Sequence, residues 1–397
     1  QTIDSLFRVI KISPDDTNKV NTLNTLSSKY MSTGSYKLAM QYAEDAKDIA
    51  EKLLLNDQKG YKKGIANSYN MIGAIFWHQG NYEETLSNFL ISLKIREEIG
   101  DLRGVANSYM NIGILYTARG NLEKTLEYFF KALSVFQKIG DKKRSADMYN
   151  NIGDINVNMN DYEKALDNHL KALKISEEIG YKQGVAASYS QVGNLYEKQI
   201  DYFFKDIKAT GTNLKLNTLL DKALKNQLNA LKIRKEIGNK SEIAQSYEYI
   251  SAVYKKMGDA AVSKKAALEA YGKALDFQFK AFENKQDVMD KRGTAITYST
   301  IGSIFMNQNK YKEAEQYLNK SLNIFKEIGY KDGLKDTYLL LALLSYEIKD
   351  YKQTYLYRKL YSAVKDSLLN EKSSRQIAEM NVKYDSEKKD IELIKKD

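Results

Sequence analysis

Cysteine is absent from the 397 residues, and proline and histidine are nearly so, with Pro14, His78 and His169 as their only members. The absence of cysteine excludes disulfides, thiolate nucleophiles and cysteine zinc sites. It leaves the compartment open, because such a chain tolerates oxidising and reducing surroundings alike. The two histidines lie too far apart to predict a metal site, and we interpret each as a surface or packing residue. The lack of proline fits an all-helical chain better than a β-sandwich.

Long apolar runs are also missing, so the sequence predicts neither a membrane span nor a remaining signal peptide. Because Gln1 is not an initiator methionine, we expect a processed or trimmed chain. The glycines do not form a nucleotide-binding motif after a strand. No set of residues suggests catalysis, a metal or a cofactor, and we therefore expect a non-catalytic protein.

The formal net charge is +10, from 61 Lys and Arg against 51 Asp and Glu. A basic total could indicate binding to nucleic acid or anionic lipid. In this chain the signs alternate, as in residues 171–178 and 234–240, and no compact arginine-rich patch occurs. Solvated helix faces explain this charge better than a nucleic-acid site does.

The stretch 104–143 shows the pattern around which the chain is organised. Its first half places large apolar residues and one glycine on one face of a helix, and its second half forms the facing stripe of another helix. Gly120 and Asn121 separate the halves. The positions are Tyr109, Ile112, Gly113 and Tyr116, then Thr125, Phe129 and Ala132. The pattern predicts a helix pair joined by a tight turn.

This pattern recurs from one end of the chain to the other. Equivalents of Tyr109 stand at 69, 149 and 189, forty residues apart, and further copies are indexed by Leu23, Tyr247, Tyr298 and Tyr338. A fixed period of this kind is typical of a solenoid. The eight copies resemble the tetratricopeptide repeat over residues 19–361, and their length is similar to the long-helix repeats of kinesin light chain and of bacterial response-regulator phosphatases. The resemblance implies an all-α solenoid, a right-handed superhelix of about eight helix pairs.

The flanking segments and two insertions complete the predicted organisation. Residues 1–18 predict a capping helix that stops at Pro14, and insertions fall at 197–222 and 260–273. The first should extend both helices of its pair. The second should follow an on-time turn at Gly258 and Asp259, so that the next helix starts about 11 residues early. Residues 362–397 predict a separate long helix with heptad positions at Ile377, Met380, Tyr384, Ile391 and Ile394.

The two insertions should pack together as a protruding helical ridge. It would carry the aromatic residues Tyr202, Phe203, Phe204 and Tyr271. Three consecutive aromatics on a projection cannot all be buried by one helix face, which favours a partner or dimer contact. The alternative is a neutral insertion with no binding role.

The resemblance also implies a concave groove lined by the first helix of each pair. Its side chains would stand two before, one after, five after and eight after the Tyr109-type position. Carried onto this chain, the groove is predicted at Asn67, Asn70, Ala74, Trp77, Asn107, Met110, Ile114, Thr117, Asp147, Asn150, Asp154, Val157, Ala187, Ser190, Asn194 and Glu197. The alternative is that these positions simply hold solvent-facing polar residues.

On the groove hypothesis, the amides would bond the backbone of an extended peptide and Trp77 would anchor an apolar side chain. The carboxylate clamp of chaperone adaptors is matched here only by Asn194. The acids Asp147, Asp154 and Glu197 favour a cationic or neutral ligand segment.

As a whole, the chain resembles the periplasmic ectodomains of Bacteroidetes-type membrane sensors with kinase, cyclase or DNA-binding outputs. The resemblance lies in the repeats, in residues 15–20 (DDTNKV) and in residues 383–390 (KYDSEKKD). It implies a sensor region on the periplasmic face of the inner membrane that binds a protein or peptide, with a homodimer through the C-terminal helix or the ridge. The alternative is a soluble cytosolic adaptor or regulator.

Overall fold

The computed structural model describes residues 3–56, 61–210, 213–286 and 291–394, with side chains omitted at 55–56, 204–210, 213–214, 286, 372 and 375–394. The described residues form seventeen helices and no strand, which confirms the predicted all-α class. The helices are α1 (Ile3–Ile12), α2 (Thr17–Ser32), α3 (Tyr36–Asn56), α4 (Lys62–His78), α5 (Tyr82–Glu98), α6 (Leu102–Ala118), α7 (Leu122–Lys138), α8 (Lys142–Asn158), α9 (Tyr162–Glu178), α10 (Lys182–Thr210), α11 (Asn213–Ile237), α12 (Lys240–Ala260), α13 (Lys264–Gln286), α14 (Lys291–Asn307), α15 (Tyr311–Glu327), α16 (Lys331–Glu347) and α17 (Tyr351–Ile394).

The chain divides into two compact units. The N-terminal unit, Gln1–Gly184, holds α1 and the pairs α2/α3, α4/α5, α6/α7 and α8/α9. The C-terminal unit, Val185–Asp397, holds most of α10 and its partner α11, followed by the pairs α12/α13, α14/α15 and α16/α17. Each predicted repeat is therefore one helix pair.

The turn between α6 and α7 follows from two adjacent residues. Gly120 has φ +74°, and its N–H donates to Thr117 O at 3.0 Å while Asn121 N–H donates to Tyr116 O at 2.9 Å. Glycine takes this left-handed conformation without a Cβ clash, which closes the C-terminus of α6. The Asn121 side chain then accepts a bond from Lys124 N at 3.0 Å and caps α7. The Gly-Asn dipeptide therefore ends one helix and starts the next.

A lysine occupies the equivalent left-handed position in the last pair. Lys349 has φ +62°, a conformation that crowds the Cβ of an L-residue. We expect Lys349→Gly to raise the free energy of unfolding by about 0.5 to 1 kcal/mol, since relief of strain exceeds the extra entropy of the unfolded chain. Thermal melts would measure it. Asn160→Gly, at φ +61°, is the matched control and should gain less because asparagine tolerates this region. A loss of stability in Lys349→Gly would contradict the left-handed backbone conformation at residue 349.

A glycine brings the two helices of a pair into close contact. A Cβ placed on Gly113 would lie 2.5 Å from two ring atoms of Phe129, and one on Gly73 would lie 2.7 Å from Phe89. Phe129 is 3% exposed and joins a core with Phe136 of the same helix and Ile152 of α8 in the next pair. The core thus continues from pair to pair through the second helices.

At the N-terminus, α1 ends at Ile12, before the Ser13-Pro14 stop, and Asp16 caps α2 by accepting a bond from Lys19 N at 2.8 Å. Leu6 is 2% exposed, and the Phe7 ring meets Tyr42 of α3 edge-on at 5.9 Å. The helix therefore covers apolar surface of the first pair.

The two insertions lengthen helices on both sides of their turns. α10 continues to Thr210 and α11 begins at Asn213, so the first insertion extends both members of its pair. In the second insertion the expected turn at Gly258 and Asp259 is wrong, because α12 passes through both residues. Gly258 stays helical, and its missing Cβ leaves room for the Tyr271 ring, which a Cβ would approach to 2.4 Å. The extra residues are therefore shared between α12 and α13.

The last helix is continuous over 44 residues. α17 begins at Tyr351 as the second member of the last pair and runs to Ile394, so the boundary predicted at 362 falls inside it. Tyr357, Tyr361 and Val364 pack against the core of that pair. The predicted heptad positions are Ile377, Met380, Tyr384, Ile391 and Ile394, and their side chains lie outside the part of the chain that the structure describes. A homodimer through this helix stays a prediction.

Candidate functional site

Two adjoining cavities open between α4, α6 and α8 in the N-terminal unit. They measure about 410 Å³ and 150 Å³, and Trp77 and Ile114 line both. We call them together the Trp77 groove. Its lining residues are Ala74, Trp77, Phe89, Asn111, Ile114, Thr117, Ala118, Phe129, Asn151, Asp154, Ile155 and Asn158. The groove has the mixture of apolar wall and few polar groups that is typical of ligand sites.

The apolar side chains of the groove are positioned by packing against neighbouring helices. Trp77 packs against Tyr82 with ring centroids 5.6 Å apart, and Ile114 is 41% exposed. Phe129 belongs to α7 but reaches the groove because Gly113 offers no side chain to block it. A ligand would therefore meet a preformed apolar surface.

A third cavity, of about 400 Å³, lies beside α2 and α4 and is rich in amides. Its lining residues are Asn21, Asn24, Thr25, Ser28, Asn67, Asn70 and Met71. Asn70 Oδ1 accepts a bond from Asn111 at 2.9 Å, and Asn67 Oδ1 accepts one from the buried Arg96 at 3.1 Å. With the two carbonyl oxygens engaged by the protein, the amide N–H groups are the donors that can meet a ligand.

Asp154 lies where the Trp77 groove meets a buried histidine. His169 of α9 is fully buried, with Nδ1 3.1 Å from Asn150 Oδ1 and Nε2 3.8 Å from Asp154 Oδ1. Burial lowers the pKa of His169 to about 4 and raises the pKa of Asp154 to about 7. Around neutral pH the imidazole is therefore neutral, and Asp154 titrates between carboxylic acid and carboxylate.

Only some of the predicted groove residues of the N-terminal unit line a cavity. Asn67 and Asn70 share the amide cavity, and Trp77 and Asp154 share the Trp77 groove. Asn150 was expected to face a ligand but is 7% exposed, because it turns toward His169.

Four other predicted groove residues of this unit, Asn107, Met110, Asp147 and Val157, do not line these cavities. Met110 packs against the core of its pair, and Asn107 is half-buried. Asp147 is half-buried too, 4.0 Å from Arg144, and burial raises its pKa.

In the C-terminal unit, Ser190 and Asn194 of the four predicted groove residues belong to an internal polar cluster. Gln227 of α11 donates to Asn194 Oδ1 at 2.9 Å and to Ser190 O at 3.1 Å. Burial raises the pKa of Glu197 to about 7, and its Oε1 atom has no hydrogen-bond partner among the described residues. The nearby Lys256 pairs instead with Asp201, at 2.7 Å.

The predicted aromatic ridge is only partly exposed. Tyr202 is 63% exposed, while Phe203 is half-buried against a core that includes Ile200 of α10, Leu216 of α11 and Val253 of α12. The side chain of Phe204 lies outside the described residues.

Tyr271 does not belong to an exposed ridge. It is 7% exposed, and its hydroxyl donates to Asp259 at 2.7 Å. Gly258 admits its ring into the helix contact. Tyr202 is therefore the one described ridge aromatic that is well exposed.

Sequence reasoning missed an apolar strip in the C-terminal unit. Four side chains at the predicted groove positions of the last two pairs are 36% to 59% exposed, namely Ile296, Leu339, Leu343 and Tyr346. A cavity of about 230 Å³ lies at one end, lined by Ile296, Ser299, Thr300, Phe325, Tyr330, Gly333 and Asp336. The signal was present, since the same spacing from Tyr298 and Tyr338 marks these residues.

Among the described residues, no three His, Asp or Glu side chains come together in a way that could hold a metal ion. No described helix has the length and apolar composition needed to cross a bilayer.

Comparison with known families identifies the repeats. Sequence profiles described as tetratricopeptide repeat match residues 64–138, 146–179 and 295–327. These segments coincide with α4 to α7, α8 and α9, and α14 and α15. The matched segments are tetratricopeptide repeats, as the sequence pattern predicted. A comparison with curated proteins gave no significant match.

Solved structures share the fold at low sequence identity. The apo form of the quorum sensor NprR from B. thuringiensis is 16% identical, with a TM-score of 0.58 over 91% of this chain and 97% of that chain. The apo form of RapI is also 16% identical, with a TM-score of 0.55 over 77% of this chain and 99% of that one.

A signal-transduction ATPase from Pyrococcus horikoshii with a tetratricopeptide repeat sensor is 18% identical, with a TM-score of 0.56. The match covers 93% of this chain and 53% of that protein. These likenesses establish the helical-repeat fold.

Proposed function

Because residues 64–138, 146–179 and 295–327 are tetratricopeptide repeats, we propose that this chain is a non-catalytic scaffold that binds an extended peptide or protein segment in the Trp77 groove. The observation that carries the proposal is the 410 Å³ cavity, in which Trp77 and Ile114 present an apolar wall beside polar side chains. Covering roughly 100 Å² of that wall would contribute about 2.5 kcal/mol to binding.

The amide cavity extends the same contact along the ligand. Asn67 and Asn70 hold their amide groups by bonds to Arg96 and Asn111, so little side-chain entropy remains to be lost on binding. Their N–H groups suit the backbone carbonyls of an extended segment. The amide cavity would therefore hold the backbone of the ligand, and the Trp77 groove would hold an apolar side chain.

The finer proposal is that binding serves sensing. Two proteins of the same fold are described as a quorum sensor and as an ATPase with a repeat sensor, which supports a sensor role for this chain. We place it on the periplasmic face of a bacterial inner membrane, with a cytosolic adaptor as the alternative. Fractionation of cells that express the full-length gene product separates the two, since recovery in the cytosol would exclude the periplasmic assignment.

The test of binding uses the single tryptophan of the chain as an internal reporter. Trp77 lies in the groove, so selective tryptophan excitation should report a ligand directly. We expect peptides selected from a random display library to change the Trp77 emission on titration. Trp77→Ala should weaken their binding at least tenfold, measured by calorimetry, because the apolar wall is lost.

Leu170→Ala is the matched control, since Leu170 is 48% exposed on α9 and lines none of the cavities described above. Its affinity for the selected peptides should stay within about twofold of the unmodified chain. Failure to select any peptide, or equal affinity of Trp77→Ala and Leu170→Ala, would overturn the proposed function.

A further inference from the structure

One ionisable side chain lines the Trp77 groove. Of the residues lining its larger cavity, Asp154 alone carries a carboxyl group, and the others are apolar or neutral, among them Trp77, Ile114 and Asn158. The electrostatic preference of the groove is therefore set locally by Asp154. The chain as a whole has a formal charge of +10, so its overall field does not favour a cationic ligand.

The Asp154 side chain lies in the lining of the groove and is partly exposed. Its side chain is 40% exposed, yet protein surrounds it enough for burial to raise its pKa to about 7. A groove produces both effects, because it removes bulk water on several sides and leaves one side open. A cation arriving from that open side would restore the lost solvation of the carboxylate.

The neighbouring His169 does not supply that positive charge. Its Nε2 atom is 3.8 Å from Asp154 Oδ1, but burial lowers the pKa of the imidazole to about 4. It stays neutral under physiological conditions. His169 is also fully buried, with its ring packed against Gly153. It therefore contacts Asp154 from the protein interior and does not face the groove.

Resting on the proposed function, we propose that the Trp77 groove selects a peptide segment in which a basic side chain stands next to a large apolar one. The apolar side chain packs on Trp77 and Ile114, and the lysine or arginine pairs with Asp154. Acidic segments are disfavoured, because they would bring a second negative charge into a site with reduced solvation.

The test compares peptide selections on matched variants. Random peptides displayed on phage are selected on the unmodified chain, on Asp154→Asn and on Asp147→Asn. Asp147 is the control, because it is an acid of the same helix, α8, that makes the same charge change outside the groove. We expect the unmodified chain and Asp147→Asn to enrich peptides with a basic residue beside an aromatic or large aliphatic one, and Asp154→Asn to lose the basic preference.

Calorimetry on one enriched peptide gives the size of the effect. Asp154→Asn should weaken its binding about tenfold to a hundredfold, and Asp147→Asn should change it less than about twofold. Circular dichroism and thermal melts verify that each variant is folded. Asp154→Lys should in turn prefer the same peptide with its basic residue changed to glutamate.

The possible outcomes separate the two proposals. Peptides that depend on Trp77 but show no basic preference, or that bind Asp154→Asn as well as the unmodified chain, would overturn the inference and leave the proposed function standing. If no peptide is retained by any of the three chains, the proposed function fails and the inference fails with it.

Discussion

Gly113→Ala should lower the free energy of unfolding by about 2 kcal/mol, although the same change inside most helices raises it. A Cβ at residue 113 would lie 2.5 Å from Cδ1 and Cε1 of Phe129. The ring cannot swing aside freely, because Phe129 is 3% exposed and packed within the core of its pair. The helices α6 and α7 would have to separate, which costs more than the gain in helix propensity.

Gly272 provides the control for that experiment. It lies inside α13, and a Cβ at this position would meet no atom within 4 Å. Gly272→Ala should therefore stabilise the protein by about 0.5 to 1 kcal/mol through helix propensity alone. Urea unfolding of both variants, followed by circular dichroism, would measure the opposite signs. Stabilisation of Gly113→Ala would contradict the close approach.

A second large effect is expected on acidification, and it depends on His169. The ordinary pKa of 6.5 applies to the unfolded chain, whereas burial lowers the pKa of His169 to about 4 in the folded state. Between these values the unfolded state binds a proton that the folded state does not. His169 should thus remove about 3 kcal/mol of stability as pH falls from 6.5 to 4. His169→Phe should remove this loss, because it replaces the imidazole with a side chain that does not titrate. Phenylalanine also stands at the equivalent position one repeat earlier, Phe129.

Asp154 contributes with the opposite sign. The pKa of Asp154 is 3.8 in the unfolded chain and about 7 in the folded state. As pH falls from 7 to 4, the folded chain therefore binds a proton that the unfolded chain does not, and the folded state gains stability. The gain is reduced by solvent, because the side chain is 40% exposed. Asp154→Asn should therefore make the acid-induced loss of the parent chain steeper, and thermal melts across this range would resolve both variants.

His78→Phe serves as the control for the histidine experiment. His78 is exposed at the end of α4 and stacks on Tyr36 at 5.6 Å, so its replacement should leave the acid-induced loss unchanged. If His169→Phe kept the same acid-induced loss as His78→Phe, the buried neutral imidazole would be refuted.

Much of the architecture could be predicted because the repeat signals are local. Gly120 and Asn121 act through φ and backbone bonds within a few residues, and the spacing of Tyr109, Ile112 and Gly113 defines a helix face. The turn at Gly258 was mispredicted because the same residue type serves another purpose there. Its small size admits Tyr271, and only the packing of α12 on α13 reveals that.

The groove shows the same division. Spacing along α4 and α8 placed Trp77 and Asp154 at solvent-facing positions, and both line the cavity. Spacing also placed Asn150 there, but a hydrogen bond to His169 turns it inward. The contribution of Phe129 to the cavity could not be read from α6, because it comes from another helix through the gap at Gly113.

The sequence by itself therefore determined the all-α class, the repeat period, turns such as that at Gly120 and Asn121, and the register of the first-helix faces, since these depend on side-chain size and backbone preference over short distances. Only the tertiary structure decided which polar residues are held inside, how the insertion around Gly258 is shared, and that Asp154 and His169 are neighbours with opposite shifts in pKa. Those properties arise from desolvation and contact between helices, which no single helix specifies.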